Sequence, residues 1–124
     1  MRLLLDTHVV LWWRADDPAL GSDARKAIMM ADLVMVSAAS AWEVAIKVAL
    51  GRLRIPGDFE AGVEASGFGK LPISFTHATE AGRLPGHHAD PFDRMLVAQA
   101  RLEGLELVTH DRGLAAYGVP ILWA

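Results

Sequence analysis

The segment Met1-Arg2-Leu3-Leu4-Leu5-Asp6-Thr7-His8 decides how this chain folds, because an uninterrupted aliphatic run ends abruptly on a carboxylate. Short aliphatic runs of this kind are typical of strands buried on both faces of a parallel sheet. We therefore predict a strand over residues 2–5 that delivers Asp6 to its carboxyl end. Ligands of open α/β folds bind at that edge of the sheet.

Strand and helix signals alternate along the rest of the chain, with no linker, repeat or low-complexity tract between them. This pattern is typical of a parallel sheet covered by helices, so the expected fold class is α/β with a central, mainly parallel sheet. The remaining predicted strands cover residues 33–36, 71–74, 105–109 and 119–122. Helices are predicted over residues 22–31, 37–50, 58–65, 76–84 and 91–103, with a turn or short helix over 111–117.

Length and composition bound the class of protein. With 124 residues and 52% apolar content, the chain has the size of one ordinary domain, and we expect residues 1–124 to form it. No apolar run approaches the roughly 20 residues that cross a bilayer, and the first residues lack the features of a signal peptide. The absence of cysteine excludes a disulfide framework and a zinc ribbon. We expect a cytoplasmic protein with no membrane association.

Three further acids stand beside predicted elements, as Asp6 does. Glu43 lies near the start of an apolar helix, Asp93 lies near the start of another, and Asp111 comes two residues after the fourth predicted strand. Carboxylates gathered at one edge of a sheet are ligands for hard divalent cations. The sequence therefore favours a metal site built from Asp6, Glu43, Asp93 and Asp111.

Helical periodicity places two of these acids relative to the core. Each of the two helices has an apolar stripe. Glu43 lies 100° around its helix from Trp42, the first residue of one stripe, and Asp93 lies 100° around from Phe92, the first residue of the other. On that flank the carboxylate is half sheltered, and the positive end of the helix dipole favours its ionised form. The predicted stripes are Trp42, Ala45, Ile46 and Ala49 in the first helix, and Phe92, Met95, Leu96 and Ala100 in the second.

Three of the acids also have an explanation that needs no metal. Ser40-Ala41-Trp42-Glu43 fits a capping box, and Asp90-Pro91-Phe92-Asp93 places a carboxylate at the third helical position. Lys47, four residues after Glu43, is placed for a helical ion pair. Asp111 fits an ordinary turn. Asp6 is the exception, because a carboxylate that ends so apolar a strand is costly unless it is paired or coordinated.

Histidines offer a competing metal site. Their spacing argues against zinc, because the chain has no HExxH and no pair of histidines one helical turn apart. We expect His87 and His88 to lie in a solvent-exposed loop. Aspartyl-phosphate chemistry is disfavoured as well, because Asp6-Thr7-His8 lacks a second acid. The potential zinc ligands are His8, His87, His88 and His110, with Asp6 or Asp111 as the carboxylate.

Four segments, taken in chain order, resemble a known family. The chain is similar to the PIN-domain ribonucleases, specifically the VapC-type toxins of type II toxin–antitoxin pairs. The resemblance covers nearly the whole chain, its DPFDR and AQA stretch is the most specific part, and none of the four acids departs from it. The segments are Leu4-Leu5-Asp6-Thr7-His8; Ser40-Ala41-Trp42-Glu43 with Lys47 and Gly51-Arg52-Leu53; His88-Ala89-Asp90-Pro91-Phe92-Asp93-Arg94 through Ala98-Gln99-Ala100; and Leu107-Val108-Thr109-His110-Asp111.

The resemblance implies a three-layer α/β/α domain that hydrolyses an RNA phosphodiester, with tRNA or rRNA as the expected substrate. It implies Mg²⁺ or Mn²⁺ as the cofactor, and as partners a second copy of the chain and a cognate antitoxin. Arg94 either contacts phosphate or pairs with Asp90, which caps its helix. The implied metal ligands are Asp6, Glu43, Asp93 and Asp111, with Thr7 and Thr109 holding a water or a carboxylate beside them.

The net charge of −3, from 12 basic and 15 acidic residues, is compatible with RNA. Setting the four acids aside leaves eleven acidic residues against twelve basic ones, a balance that permits a polyanionic ligand. The adjacent Trp12 and Trp13 point about 100° apart on a helix, which leaves one ring for a partner. The alternative function is a metal-free RNA-binding or assembly module of the same fold. The arginines available for an RNA path are Arg14, Arg52, Arg54, Arg83 and Arg112.

Overall fold

A computed structural model describes residues 1–124, and its helices and strands alternate as predicted. The sequence prediction gave bounds for every element except the first helix. The strands are β1 (Arg2–Leu5), β2 (Leu33–Ser37), β3 (Gly69–Leu71), β4 (Glu106–Thr109) and β5 (Ile121–Trp123). The helices are α1 (Thr7–Ala15), α2 (Ser22–Met30), α3 (Ala38–Ala49), α4 (Phe59–Ala65), α5 (Phe75–Arg83) and α6 (Pro91–Glu103), and a 3₁₀-helix covers Arg112–Tyr117.

All five strands pair in parallel, in the order β3-β2-β1-β4-β5. The chain adds β2 and β3 on one side of β1 and then β4 and β5 on the other. The topological switch point therefore lies between β1 and β4, which is where open α/β sheets place their ligands. The expected α/β class is confirmed, and the sheet is parallel throughout.

Two separate cores cover the sheet, because successive side chains of a strand point to opposite faces. Leu4 and Leu107 pack with α5 and α6 on one face, whereas Leu3, Leu5 and Val108 pack with α1, α2 and α4 on the other. The three leucines of β1 are completely buried, as a central strand requires. The result is the expected three-layer arrangement. None of its helices combines the length and apolar character needed to cross a bilayer.

Two strands, β3 and β5, differ most from their predicted bounds, and a proline accounts for one end of each. The predicted strand over 71–74 is wrong beyond its first residue, since β3 ends before Pro72, which has no N–H to donate to a ladder. The last strand was predicted over 119–122, but β5 begins only after Pro120. Both strands lie at the edges of the sheet, where local sequence decides how far pairing extends.

The buried face of α3 differs from the predicted stripe. Trp42 is 62% exposed, and its ring lies against Phe92, with centroids 5.4 Å apart. Glu43 and Val44 are buried in its place. Apolar periodicity misassigned this face because alanine and valine occupy both sides of the helix. The stripe predicted for α6 fits better, since its members are buried or packed against the core.

The helix α3 begins where it was predicted, but a different serine caps it. Ser37 is the N-cap, and its Oγ accepts a hydrogen bond from the N–H of Ala39 at 2.9 Å. The capping box predicted at Ser40 is therefore wrong, because Ser40 lies inside the helix and is completely buried. Glu43 consequently occupies the second turn, with no capping role to explain it.

Candidate metal centre

The four predicted acids line one cavity at the carboxyl edge of the sheet. Asp6 follows β1 and Asp111 lies two residues after β4, so both flank the topological switch point. Glu43 reaches the cavity from α3, and Asp93 reaches it from the first turn of α6. The cavity measures about 330 Å³ and has no hydrophobic lining residue. Its lining consists of Asp6, Thr7, His8, Glu43, Lys47, Asp90, Asp93, His110, Asp111 and Arg112.

Asp6 is the most firmly held of the four acids. It is 4% exposed, and its Oδ1 accepts from the N–H of Val9 at 3.1 Å as the N-cap of α1. Its Oδ2 accepts from the hydroxyl of Thr109 at 2.6 Å. The same hydroxyl oxygen accepts from the N–H of Asp111 at 3.1 Å. Thr109 therefore orients one acid directly and anchors the backbone of a second.

Thr7 has a different set of contacts. Its hydroxyl donates to the Oγ of Ser40 at 2.9 Å, and both residues are buried. This hydrogen bond joins α1 to α3, the two helices that follow β1 and β2, and so fixes the side of the cavity that carries Glu43. Thr7 lines the cavity but makes no hydrogen bond to any of the acids.

Glu43 and Lys47 form the ion pair that their spacing on α3 predicts. The Nζ of Lys47 lies 2.9 Å from the Oε2 of Glu43, and Glu43 is 7% exposed. A buried carboxylate needs such compensation, because removal from water disfavours its ionised form. Lys47 thereby keeps a carboxylate available at the cavity wall in the absence of any bound cation.

His88 is not in solvent, contrary to the expectation. Its Nε2 lies 2.8 Å from the Oδ2 of Asp111 and 3.6 Å from the Oδ2 of Asp93. The N–H of Asp90 donates to its Nδ1 at 3.1 Å, so the neutral ring carries its proton on Nε2 and donates it to Asp111. Side-chain ligand atoms of His88, Asp93 and Asp111 all lie within 4.8 Å of one another.

Asp93 lies where its charge is least favourable. Burial, and then the charges of Asp90 and Asp6, raise the pKa of Asp93 to about 7, although the nearby His88 opposes the shift. Asp90 is the predicted cap of α6, since its Oδ1 accepts from the N–H groups of Phe92 and Asp93. Asp93 is thus spared a capping function, and its carboxylate faces other carboxylates.

Asp111 has the opposite shift. Partial burial works against its ionisation, but hydrogen bonds from His88 and from the N–H of Gly113 at 2.9 Å hold the pKa of Asp111 below its ordinary value. As the N-cap of the 3₁₀-helix, Asp111 does form the turn that its sequence suggested. The cavity therefore contains one carboxylate stabilised as an anion beside one that resists ionisation.

Arg94 does not pair with Asp90, which was one of the two roles considered for it. Its guanidinium donates at 2.9 Å to the backbone carbonyls of Ala81, Leu84 and Pro85, and it does not line the cavity. Arg94 thus fastens the loop after α5, which carries His88, onto α6. Sequence gives no signal for this role, because backbone carbonyls are available everywhere along a chain.

These acids fit a hard divalent cation. Lys47 compensates Glu43 and His88 compensates Asp111, whereas Asp6 has only neutral donors and Asp93 has a raised pKa. A cation in the cavity would relieve that excess of negative charge. Mg²⁺ keeps several of its waters, so ligation through water suits Asp6 and Glu43, which line the cavity outside the compact His88 group.

The arginines and tryptophans named from the sequence are dispersed. All five arginines are exposed, but Arg112 alone among them lines the cavity. Trp12 and Trp13 are both half buried against the core, and Trp13 packs against Phe68 with centroids 5.6 Å apart. No ring of the pair is left fully free, so the structure gives less exposed aromatic surface here than expected.

Comparison with known proteins gives a consistent result. Residues 3–120 match the model of the PIN domain. The chain is 33% identical over 121 residues to Ribonuclease VapC22 of Mycobacterium tuberculosis, which covers 95% of this chain and 93% of that protein. The structure resembles that of VapBC2 from Rickettsia felis bound to a DNA fragment from its promoter, with a TM-score of 0.74, 12% identity, and coverage of 100% and 99% of the two chains. It also resembles DNA-bound VapBC from Salmonella typhimurium, with a TM-score of 0.72, 20% identity, and coverage of 99% and 98%.

Proposed function

We propose, from the premise that this chain belongs to the PIN-domain family, that it is a metal-dependent endoribonuclease acting as the toxin of a type II toxin–antitoxin pair. The observation that carries the proposal is the convergence of Asp6, Glu43, Asp93 and Asp111 on one polar cavity at the switch point of the sheet. The 33% identity to Ribonuclease VapC22 supports RNA as the substrate. The VapBC complexes among the structural relatives support a protein partner.

Mg²⁺ or Mn²⁺ is the proposed cofactor, held by the four acids directly or through water. When bound, the ion supplies the positive charge that lowers the pKa of a water and neutralises the leaving oxygen of the phosphodiester. Asp6 is preorganised for this role by Thr109 and by the N-terminus of α1. Asp93 would hold the ion as a carboxylate, so binding would release the proton that its raised pKa favours.

The other side chains of the cavity position these ligands. Thr109 and His88 hold the carboxylates of Asp6 and Asp111, whereas Lys47 pairs with Glu43 at a position that a cation would take over. Orientation by neighbouring hydrogen bonds typically changes metal affinity or activity by roughly 10- to 100-fold. Thr7 acts on the ligands indirectly, by fixing α1 against α3. The scissile phosphate of the RNA would then be the remaining ligand of the bound ion. None of these contacts reads a base, so specificity for an RNA sequence must come from surrounding surfaces.

A cytoplasmic location, a homodimer and a cognate antitoxin complete the proposal. Apolar side chains exposed on α3 and at its end offer one surface for a protein partner. They are Trp42, Val48 and Leu50, with exposures of 62%, 42% and 60%. Expression of the chain alone should arrest growth, and co-expression of the genetically linked partner should restore it. If expression of the chain alone leaves growth unchanged, the protein is not a toxin.

The test of catalysis is cleavage of tRNA- and rRNA-derived hairpins by the purified protein in Mg²⁺, Mn²⁺ or EDTA. Asp6→Asn and Asp93→Asn remove one carboxylate each, and both should abolish cutting. Asp58→Asn is the matched control, because Asp58 caps α4 outside the cavity and asparagine also caps. Cutting that persists in both cavity variants would be a contaminant. RNA binding without cutting, in the absence of metal binding, would favour the metal-free module.

A further inference from the structure

Three aromatic side chains border the carboxylate cavity at the junction of α1 and β4. His8 and Trp12 lie one turn apart on α1, and His110 directly follows β4. The ring centroid of Trp12 lies 4.8 Å from that of His110 and 6.0 Å from that of His8. The two imidazole centroids are 6.0 Å apart, with their planes at 81°. We call His8, Trp12 and His110 the ring cluster.

One side of the ring cluster packs against the protein core, and the other side is exposed at the cavity. Trp12 is half buried and packs against the core under α1, whereas His8 and His110 are exposed and line the cavity. Neither imidazole makes a side-chain hydrogen bond within the protein, unlike His77 and His88. The packing therefore holds two imidazoles beside the acids while leaving their faces and nitrogen atoms to a ligand.

A free cation lies at the same cavity. Arg112 lines it, and the guanidinium carbon lies 4.0 Å from the ring centroid of Trp123, a cation–π contact that restricts its position. Its guanidinium forms no ion pair and no hydrogen bond in the structure. Lys47, the other cation of the cavity, is paired with Glu43. The donors of Arg112 are thus available to an anion next to the acids.

We propose that the ring cluster stacks a nucleobase adjacent to the scissile phosphate and that Arg112 contacts a phosphate of the same strand. This inference rests on the proposed nuclease function and assigns roles in substrate binding to four residues that are not metal ligands. Imidazole and indole faces accept any base by stacking, whereas a base inside a duplex has both faces covered. A peptide would not need imidazoles, a fixed guanidinium and metal-binding acids in one cavity.

Stacking can be separated from other roles of histidine by aromatic replacement. His8→Ala and His110→Ala remove the rings, whereas His8→Phe and His110→Phe keep the stacking surface and lose the nitrogen atoms. Arg112→Met removes the charge. Phe75→Ala is the matched control, because Phe75 is 94% exposed and lies outside the cavity. Melting temperatures of all variants identify any that fail to fold.

Binding is measured by fluorescence anisotropy in Ca²⁺ with two labelled probes. One is a pool of random single-stranded RNA dodecamers, and the other is an abasic ribose-phosphate dodecamer with the same charge. The intact protein should prefer the RNA pool, and each alanine variant should lose roughly tenfold in RNA affinity with little change toward the abasic probe. The phenylalanine variants should retain the preference. Arg112→Met should weaken both probes and reduce the salt dependence.

Each outcome separates this inference from the nuclease proposal. If the wild type cleaves RNA and the alanine variants bind and cleave it equally well, the proposed role of the ring cluster is overturned and the nuclease proposal stands. Loss of RNA preference without any cleavage by the wild type would support the cluster and overturn the nuclease. No RNA preference in the wild type would overturn the inference whether or not hairpins are cut. Equal weakening by Phe75→Ala would show that the effect is not local, and would overturn it too.

Discussion

The hydroxyl of Thr109 lies 2.6 Å from the Oδ2 of Asp6 and joins residues 103 positions apart in sequence. Both are buried, at the carboxyl ends of the two strands that flank the switch point. The same oxygen accepts from the N–H of Asp111. One side chain thus sets the spacing of two acids, so the geometry of the cavity depends directly on the pairing of β1 with β4.

Replacement of Thr109 by valine should weaken metal binding while preserving the fold. Valine fills the same volume but leaves a buried oxygen of Asp6 without its donor, which typically destabilises by about 1–3 kcal/mol. We expect roughly tenfold weaker Mn²⁺ binding by calorimetry. Thr109→Ser retains the hydroxyl and should behave as the wild type. Equal Mn²⁺ affinity in the valine and serine variants would mean that this hydrogen bond does not orient Asp6 for the metal.

Replacement of Lys47 by methionine should have the opposite effect on metal binding. The Nζ of Lys47 lies 2.9 Å from the Oε2 of Glu43, so it competes with a cation for the same carboxylate. We expect Mn²⁺ affinity to rise roughly two- to fivefold, while the metal-free protein melts at a lower temperature because a buried charge has lost its partner. Lys70→Met is the control, since Lys70 pairs with the exposed Glu60. Weaker Mn²⁺ binding in Lys47→Met would contradict the competition.

Replacement of His88 by alanine should loosen Asp111. The variant loses the 2.8 Å hydrogen bond that helps to keep Asp111 ionised. We expect Mn²⁺ binding to weaken roughly tenfold and cleavage to require correspondingly more metal. His87→Ala is the control, because the ring of His87 packs against Tyr117 instead of an acid. If the two alanine variants bind Mn²⁺ alike, His88 has no positioning role.

The pKa of Asp93 predicts how pH acts on the metal-free protein. Because burial raises this pKa from 3.8 to about 7, the folded protein holds a proton that the unfolded chain releases. The resulting stabilisation is complete below pH 3.8 and is lost as the pH rises through about 7. In EDTA, Asp93→Asn should therefore lose less stability than the wild type between about pH 5 and about pH 8. Thermal melting at the two pH values measures this.

Two further melts complete that experiment. Asp58→Asn, which alters a cap away from the cavity, should follow the pH dependence of the wild type. Saturating Mn²⁺ at the higher pH should raise the melting temperature of the wild type well above that of Asp93→Asn, because ligands that bind only the folded state stabilise it. Parallel pH curves for the wild type and Asp93→Asn in EDTA would show that Asp93 carries no such proton.

Features encoded in a few adjacent residues were predictable from the sequence. The end of β1 at Asp6 and the start of α6 at Asp90-Pro91 depend on aliphatic runs, caps and a proline, and both lie where predicted. Parallel pairing of the strands followed from the alternation of strands and helices, whereas the strand order that places Asp6 beside Asp111 is seen only in the structure. The positions of the four acids along the sheet edge rest on these local signals.

Features that depend on tertiary contacts were not predictable. His88 is held beside Asp111, 23 residues away in sequence, by a loop that Arg94 fastens to α6. In the sequence, the His87-His88 pair looks like part of any solvated turn. The face of α3 was misassigned in part because two of the residues that it buries, Ser40 and Glu43, are polar. In both cases the polar cavity overrode the rule that polar side chains face solvent.

The most direct measurement of the central claim is a Mn²⁺ titration of hairpin cleavage beside calorimetric Mn²⁺ binding, for the wild type and Asp93→Asn. We predict that the Mn²⁺ concentration giving half-maximal cleavage matches the Kd of a single class of sites. Asp93→Asn should lose the binding and the cleavage together. Cleavage that continues in EDTA, or that survives in Asp93→Asn after binding is lost, would contradict a carboxylate-held metal as the source of the activity.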